Sequence, residues 1–280
     1  MRILSEPRNR KGFIMKRRLI CSITGLLAAL LCLSCVKENR VDCPCWLDIF
    51  VGECEPIARN VTVSAHNNGR IFSEEIDVRD YPDFYEHTVG KGLVNVAAYA
   101  GRVYQVEHYD TLQIRRGYQC DSIFSHHNTV ECFYEFAYDT LRLHKQFSTV
   151  FLKMDNPEGG PYPFRLVVKG NVNGIRFTDN EPTLGPFEYE LQEYKDNEFR
   201  FRIPRQLDNS LIMEVYDKND ILLETLPFGE AIAAHMKDDG SFTWKSLDLG
   251  DIYIGVDYSR AIVSVVVNAW TPGDSFQIII

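Results

Sequence analysis

Cys35 is the residue whose position in the sequence most clearly predicts covalent chemistry. It follows three basic residues at 16–18 and an almost wholly apolar stretch over residues 19–33. That stretch is about 15 residues long, too short to cross the ~30 Å hydrocarbon core of a bilayer as a helix. The small residue Ser34 directly precedes the cysteine, as expected where a signal peptidase cleaves. The sequence therefore predicts a cleaved signal peptide over residues 1–34 and lipid attachment at Cys35.

The segment around Cys35 resembles the lipobox of bacterial lipoproteins, in which the cysteine is diacylated, the chain is cleaved and the new amino group is acylated. One residue departs from that motif, because Cys32 stands where the motif usually has leucine. Residues 1–14 exceed the short positive region of a signal peptide, so we take Met15 as the true start. An ordinary cleaved signal peptide and a permanent membrane helix remain as alternative interpretations.

Five further cysteines follow the predicted lipid site: Cys43, Cys45, Cys54, Cys120 and Cys132. Export to an oxidising compartment permits disulfides, and we predict a local bond between Cys120 and Cys132. Cys54 is a candidate partner of either Cys43 or Cys45, and the odd total leaves at least one thiol over unless it pairs outside the chain. The C-x-C spacing at 43–45 differs from the C-x-x-C spacing of zinc ribbons and thioredoxin-like sites. We therefore predict no metal or redox site there.

No group of residues has the spacing of a known catalytic site. The triplet at 273–275 (Gly-Asp-Ser) resembles a lipase nucleophile block, but no histidine follows it, and we interpret it as a turn. His126 and His127 are predicted to lie in a solvated loop, and the acidic residues at 217–220 are interpreted as a hairpin turn and not a calcium loop. The sequence thus predicts a protein that is not an enzyme and that has no cofactor and no metal.

Three hydroxyl residues lie in triplets that resemble the O-glycosylation acceptor pattern of exported Bacteroidales proteins. They are Thr111, Ser122 and Thr140, each preceded by aspartate and followed by leucine or isoleucine. Such triplets also arise by chance, and a buried hydroxyl cannot be modified, so both interpretations stay open.

The mature chain is strongly acidic. Removing the seven Lys/Arg residues and the one Glu of residues 1–34 leaves 23 basic and 38 acidic residues, a net charge of −15. Such a surface repels nucleic acid and anionic headgroups, so we expect neither as a partner. Attachment to a membrane would therefore depend on the acyl chains.

Strand signals dominate the chain after a short polar tether over residues 35–42. Asn67-Asn68-Gly69 and residues 217–220 predict two hairpin turns. The densest cluster of chain breakers, residues 155–161, predicts a domain boundary. Runs of β-branched and aromatic residues recur at intervals of roughly 8 to 12 residues, which favours antiparallel sandwiches. We expect strands over 46–51, 61–65, 70–77, 93–100, 111–114, 146–154, 164–169, 187–191, 199–203, 211–216, 221–226, 252–256 and 262–270.

The predicted fold is therefore all-β, with two tandem antiparallel β-sandwiches at 43–156 and 157–280. One short helix is expected at 228–236, where Pro227 opens the first turn without losing a hydrogen bond. A further turn is expected near Asn173-Gly174.

The ordered series of motifs resembles the FimB-type fimbrial anchor lipoproteins of Bacteroidales. The resemblance includes the lipidated Cys35 and the step from the cysteines at 43–45 into Trp46-Leu47. In the second half it includes LIMEVYD at 211–217, LLETLP at 222–227 and IVSVVVNAW at 262–270.

This resemblance implies tandem transthyretin-like sandwiches held at the outer membrane and exposed on the cell surface. It also implies that the protein fixes the base of a fimbria and limits its growth, binding fimbrial stalk subunits through an unpaired strand edge. Residues 276–280 are either a donated segment or the last strand of their own sheet. The alternative interpretation is a surface lipoprotein that binds a glycan or a host protein.

Overall fold

The computed structural model describes residues 43–155, 163–235, 243–257 and 262–268. The predicted signal peptide, Cys35 and residues 276–280 lie outside this range. Residues Pro44–Ile280 form one compact unit. None of the helices in the described ranges has the length and apolarity that a membrane span needs.

The first sandwich consists of two sheets. One sheet has the strand order β4-β1-β9, and the other has the order β10-β8-β5-β2-β3. The strands of this part of the chain are β1 (Cys45–Phe50), β2 (Asn60–His66), β3 (Arg70–Asp77), β4 (Tyr85–Val89), β5 (Gly92–Ala100), β6 (Val106–His108), β7 (Thr111–Gln113), β8 (Phe124–Cys132), β9 (Phe136–Thr140) and β10 (His144–Lys145).

The second sandwich also has two sheets and contains the one α-helix of the described residues. One sheet has the order β14-β15-β11-β18-β19; the other has the order β17-β16-β12-β7-β6, with β13 on the opposite side of β12. Its elements are β11 (Phe147–Asp155), β12 (Arg165–Arg176), β13 (Glu181–Glu190), β14 (Glu193–Lys195), β15 (Glu198–Pro204), β16 (Ile212–Tyr216), β17 (Leu222–Leu226), α1 (Phe228–His235), β18 (Asp251–Asp257) and β19 (Ile262–Asn268).

The two sandwiches repeat one strand topology. In the first, β4-β1-β9 faces β8-β5-β2-β3; in the second, β15-β11-β18 faces β17-β16-β12-β13. The strands correspond one to one in chain order, and the arrangement is that of a transthyretin-like sandwich. The predicted fold class is therefore confirmed. The second sandwich has one strand more on this plan, because β19 pairs with the outer side of β18.

Each sandwich also contains a parallel pair, where the sequence predicted antiparallel pairing. β1 pairs with β9, and β11 pairs with β18. In each sandwich the seventh strand pairs in parallel with the first. Local turn signals cannot reveal such a pairing, because the partners are far apart in the chain.

Alternation of side chains along the strands builds two separate cores. In β1, Leu47 and Ile49 are fully buried while Trp46 points outward, as the two-residue period of a strand requires. The first core includes Val61, Val63, Val94, Val96 and Leu141, and the second includes Val150, Leu166, Phe201, Met213 and Ile252.

A hairpin from the first half of the chain joins the two sandwiches. The connection between β5 and β8 contains β6 and β7, and β7 pairs with residues 174–176 of β12. Strand β5 is buried on both faces, since Val96 and Ala98 face the first core and Ala97 and Tyr99 pack in a third cluster. That cluster also contains Leu112, Ile123, Ile175 and Phe177.

The chain passes from the first sandwich to the second before the predicted boundary between residues 156 and 157. Strand β11, which ends at Asp155, is already the central strand of a second-sandwich sheet. Strands β6 and β7, predicted to lie in the first sandwich, pair with the second. The breakers at 155–161 thus separate β11 from β12 within one sandwich.

Both hairpins that were predicted from their turn residues are present in the structure. β2 and β3 pair around Asn68 and Gly69, whose φ angles of 53° and 155° are positive, and β16 pairs with β17 around residues 217–220. The turn predicted near Asn173-Gly174 is wrong, because both residues lie inside β12 at a register irregularity. A Cβ on Gly174 would lie 2.5 Å from the Leu112 carbonyl oxygen, so this glycine permits the close approach of β7.

A buried ion pair joins β10, a strand of the first sandwich, to β18 of the second. Lys145 Nζ lies 2.5 Å from Asp251 Oδ1, and the two side chains are 1% and 9% exposed. The same carboxylate oxygen accepts the Thr149 backbone N–H at 2.9 Å. Burial lowers the pKa of Lys145, and the charge of Asp251 opposes that shift.

We expect Asp251→Asn to lower the free energy of unfolding by about 3 kcal/mol, because it leaves the buried ammonium without its counter-ion. Glu53→Gln is the matched control, since Glu53 and Arg142 form an exposed ion pair at 3.0 Å, which contributes under ~1 kcal/mol. Urea unfolding of both variants measures the difference. If both variants lose the same small free energy of unfolding, the buried ion pair contributes no more than the exposed one.

Candidate functional site at the edge of the first sandwich

Strand β9 has an open edge, unlike its counterpart in the second sandwich. β18 lies between β11 and β19. β9 pairs with β1 on one side, and on its other side no strand is present in the part of the chain that the structure describes. An unpaired edge presents backbone N–H and C=O groups that an added strand can satisfy.

The backbone groups at this edge can be assigned from the strand geometry. The Trp46 N–H donates to the Glu135 carbonyl at 2.8 Å, and the Leu141 N–H donates to the Phe50 carbonyl at 3.0 Å. Successive residues of a strand direct their N–H and C=O groups to opposite sides. The odd-numbered residues of β9 therefore face β1, and Phe136 and Tyr138 direct their backbone groups toward the open edge.

Exposed aromatic side chains cover the outer face of this sheet. Phe136 and Tyr138 are 50% and 63% exposed, and Trp46 and Phe84 are 45% and 42% exposed. Trp46 is the register partner of Phe136, and the rings of Phe84 and Tyr138 have centroids 6.3 Å apart. We call these four residues the aromatic face. Contiguous exposed apolar surface of this kind marks an interaction site in many proteins.

A groove of about 510 Å³ lies beside the edge. Residues of both β8 and β9 line it, including His126, Asn128, Tyr138, Asp139 and Thr140. β8 belongs to the facing sheet, and β10 pairs only with its first two residues. The groove therefore lies along the side of the sandwich where both sheets have strand edges.

A buried polar cluster holds β8 and β9 together in this groove. Asp139 accepts a hydrogen bond from Asn128 Nδ2 at 2.8 Å, and His126 Nε2 lies 3.2 Å from its other oxygen. The Arg142 backbone N–H donates to His126 Nδ1 at 3.2 Å, so Nε2 carries the proton that Asp139 accepts. Burial raises the pKa of Asp139, but the hydrogen bonds from His126 and Asn128 outweigh it and hold that pKa below its usual 3.8.

The structure does not bring the predicted disulfide partners together. Cys120 lies in the second core and Cys132 in the first. The Cys120 thiol donates to the Asp121 carbonyl at 3.2 Å, and the Cys54 thiol donates to the Leu141 carbonyl at 3.7 Å. The Cys45 thiol donates to the Trp46 carbonyl at 3.5 Å, and Cys45 lies in the same core as Cys132. Cys120 and Cys132 are close in the sequence, but they lie on either side of the junction between the sandwiches.

The structure also shows where the two adjacent histidines and the three candidate glycosylation residues lie. His126 and His127 lie in β8 and not in a loop. The hydroxyl residues Thr111, Ser122 and Thr140 are half-buried, and glycosylation there stays a prediction. In the described ranges no three His, Cys, Asp or Glu side chains form a group that would hold a metal ion.

The residues of the open edge were missed by sequence reasoning. Phe136-Ala137-Tyr138 does alternate exposed and buried side chains, which is the signal of a half-buried strand. The run is only five residues long, and it follows an exposed Phe133-Tyr134-Glu135 segment, so the alternation does not stand out.

Solved structures with the same architecture have low sequence identity to this chain. A candidate polysaccharide-binding protein from Bacteroides thetaiotaomicron superposes with a TM-score of 0.58 at 12% identity, over 82% of this chain and 97% of that one. A candidate adhesin from Bacteroides ovatus gives 0.58 at 12%, over 82% and 95%. The fimbrial anchor protein Mfa2 from Porphyromonas gingivalis gives 0.54 at 13%, over 81% and 98%.

These superpositions show a common fold that extends over nearly the whole of each compared protein. The predicted resemblance to Bacteroidales fimbrial proteins is confirmed at the level of the fold. No protein-family model matches the sequence, and no curated protein matches it either.

The lowered pKa of Asp139 predicts a specific pH dependence of stability. Its carboxylate favours the folded state above the unfolded-state pKa of about 3.9, and that contribution is lost as the pH falls below this value. We expect Asp139→Asn to cost about 2 kcal/mol near neutral pH and progressively less in acid. Urea unfolding at a series of pH values tests this, and a difference that stays constant down to about pH 3 contradicts it.

Proposed function

We propose that this chain is a lipid-anchored protein of the outer membrane that holds a fimbria at the cell surface and limits its growth. It binds a stalk subunit by accepting one of that subunit's strands at the open edge of β9. The lipid is attached at Cys35, and residues 35–42 form the tether to the first sandwich. Three observations support the proposal: the lipobox-like sequence, the fold shared with a fimbrial anchor protein and the open edge itself.

The contrast between β9 and β18 carries the proposal. Two copies of one topology occur in this chain, and among the described strands only β19, in the second copy, lies on the outer side of a seventh strand. The repeat therefore indicates what the first copy lacks, which is an extended segment running antiparallel to β9. Backbone pairing would give such a complex its affinity, and the aromatic face beside it offers contacts for the partner's side chains.

Anchoring of the fimbria and control of its length both follow if this protein accepts a strand at one edge only, that of β9. A subunit that accepts a strand at β9 and is fastened to lipid at its own amino terminus extends the polymer in one direction only. Its net negative charge offers no attraction to anionic headgroups, so the acyl chains would carry the load of attachment.

The second candidate function is binding of a glycan or a host protein at the cell surface. The exposed rings of the aromatic face favour it, because aromatic side chains supply large contact areas at binding sites. A similar structure is a candidate polysaccharide-binding protein. The groove beside β9 adjoins a larger one of about 830 Å³ lined by Arg205, Trp244 and Gln206 among others, which offers polar groups to a sugar.

Tyr138→Pro tests strand acceptance at β9. Proline removes the N–H that points to the open edge, while the bonds of Ala137 and Asp139 to β1 remain. Cells that carry this variant should release their fimbriae into the medium, measured by immunoblotting of cell and medium fractions and by electron microscopy.

Tyr138→Thr is the control for this experiment, because threonine keeps the backbone N–H and suits a strand while removing the ring. Its fimbriae should stay attached. Cell-bound fimbriae of normal length with Tyr138→Pro, at a normal level of folded protein, would contradict the proposal. Normal fimbriae in both variants together with lost adhesion to a surface ligand would support the second candidate function.

Cys35→Ala tests the lipid anchor. The variant should keep its signal peptide and be missing from the outer-membrane fraction, because cleavage follows acylation of Cys35. Cys32→Ala is the matched control and should stay membrane-bound, since that residue precedes the cleavage point. Outer-membrane attachment of Cys35→Ala at the wild-type level would contradict the lipid anchor, and an uncleaved signal in the wild-type protein would identify the apolar stretch as a membrane helix.

A further inference from the structure

Cys45 and Cys132 lie on opposite sheets beside the same tight connection. Cys45 is the first residue of β1 and is the register partner of Val89, the last residue of β4. Cys132 is the last residue of β8 and is the register partner of Gly92, the first residue of β5. Only residues 90–91 separate β4 from β5, so the strand pairing alone brings the two cysteines to one end of the sandwich.

The two side chains meet inside the first core. Both residues are 0% exposed and belong to the same core cluster. The other thiols of the described residues have different surroundings. Cys54 lies in the same core but its thiol donates to the Leu141 carbonyl, Cys120 lies in the second core, and Cys43 is exposed.

We propose that Cys45 and Cys132 form a disulfide in the exported protein. Two S–H bonds break and one S–S bond forms. The two electrons and two protons pass to a thioredoxin-fold oxidoreductase of the export compartment, whose own disulfide is reduced to a dithiol. The bond rests on the export that is part of the proposed function, since cytoplasmic thiols stay reduced.

Such a bond would reinforce the strand that follows the tether. β1 is held by β4 and β9 within one sheet, and Cys132 belongs to the other sheet of the sandwich. A covalent link at the first residue of β1 passes tension from the tether to both sheets at once. Without it, pulling at Cys45 would load the end of β1 alone.

The buried position of both thiols determines when the bond can form. Burial raises the pKa of Cys45, and burial together with the neighbouring Cys45 raises the pKa of Cys132 to about 12. Because the thiolate is the attacking species, oxidation of the folded, reduced protein should be slow. Refolding in glutathione disulfide should form the bond at least tenfold faster than incubation of the folded protein.

The test is to count and assign thiols in the mature protein from the cell envelope. Cells are lysed in an alkylating agent without reductant, and intact masses are measured. Of the five cysteines in the described residues, the proposal predicts that three are alkylated. No Lys or Arg lies between Arg40 and Arg59, so Cys43, Cys45 and Cys54 share a tryptic peptide, and assignment needs variants.

Single serine variants provide that assignment and its control. Cys45→Ser and Cys132→Ser should abolish the bond. Cys43→Ser, Cys54→Ser and Cys120→Ser should keep it. Reduction of the wild-type protein should lower its melting temperature by roughly 5–15 °C, and the double variant at 45 and 132 should be no less stable than either single variant.

Two results would overturn the proposal. One is alkylation of both Cys45 and Cys132 in the envelope protein, and the other is a bond from Cys132 to any other cysteine. Refolding of the purified chain in a glutathione buffer tests the pairing independently of anchoring. A change of fimbrial attachment in the Tyr138 variants has no bearing on this result, so the two proposals fail separately.

Discussion

A strand at the edge of a sheet leaves half of its backbone N–H and C=O groups without a partner, and these groups need partners or water. The two sandwiches meet this constraint differently. In the second, β19 covers the outer side of β18. In the first, no strand of the described residues pairs with the outer side of β9, and exposed aromatic rings lie around it. Such an edge is an aggregation hazard unless a partner covers it.

The sandwich that contains the open edge is joined to the second sandwich by strand pairing. The hairpin β6–β7 leaves the first sandwich and pairs with β12 of the second, and Tyr99 and Phe177 pack in the cluster between them. A connection made by a shared sheet and a buried apolar cluster is stiffer than a linker. The two sandwiches are therefore held together more firmly than domains joined by a linker alone.

Sequence reasoning predicted the elements that local chemistry determines. Asn68 and Gly69 take positive φ angles in the β2–β3 turn, and Asp217 accepts the N–H groups of Asn219 and Ile221 in the β16–β17 turn. Runs such as that of β11 are rich in β-branched and aromatic residues, so their strands were predictable too.

The missed and misplaced elements depend on distant partners. β8 carries His126, His127 and Asn128, whose polarity suggested a loop; Asp139, which satisfies His126 and Asn128, comes from another strand. The parallel pair β1–β9 and the insertion of β7 beside Gly174 likewise join segments far apart in the sequence. Composition at 155–161 identified a break in the chain but not which sheet the preceding strand belongs to. The open edge could not be derived without the pairing pattern of the whole fold.

The proposed pairing of a stalk subunit with β9 is measured most directly by amide hydrogen exchange of this protein with and without that subunit. We expect the amides of Phe136 and Tyr138 to exchange much more slowly in the complex, while those of β17, an edge strand of the second sandwich with exposed side chains, are unchanged. Slower exchange at β17 with no change at β9 would contradict it.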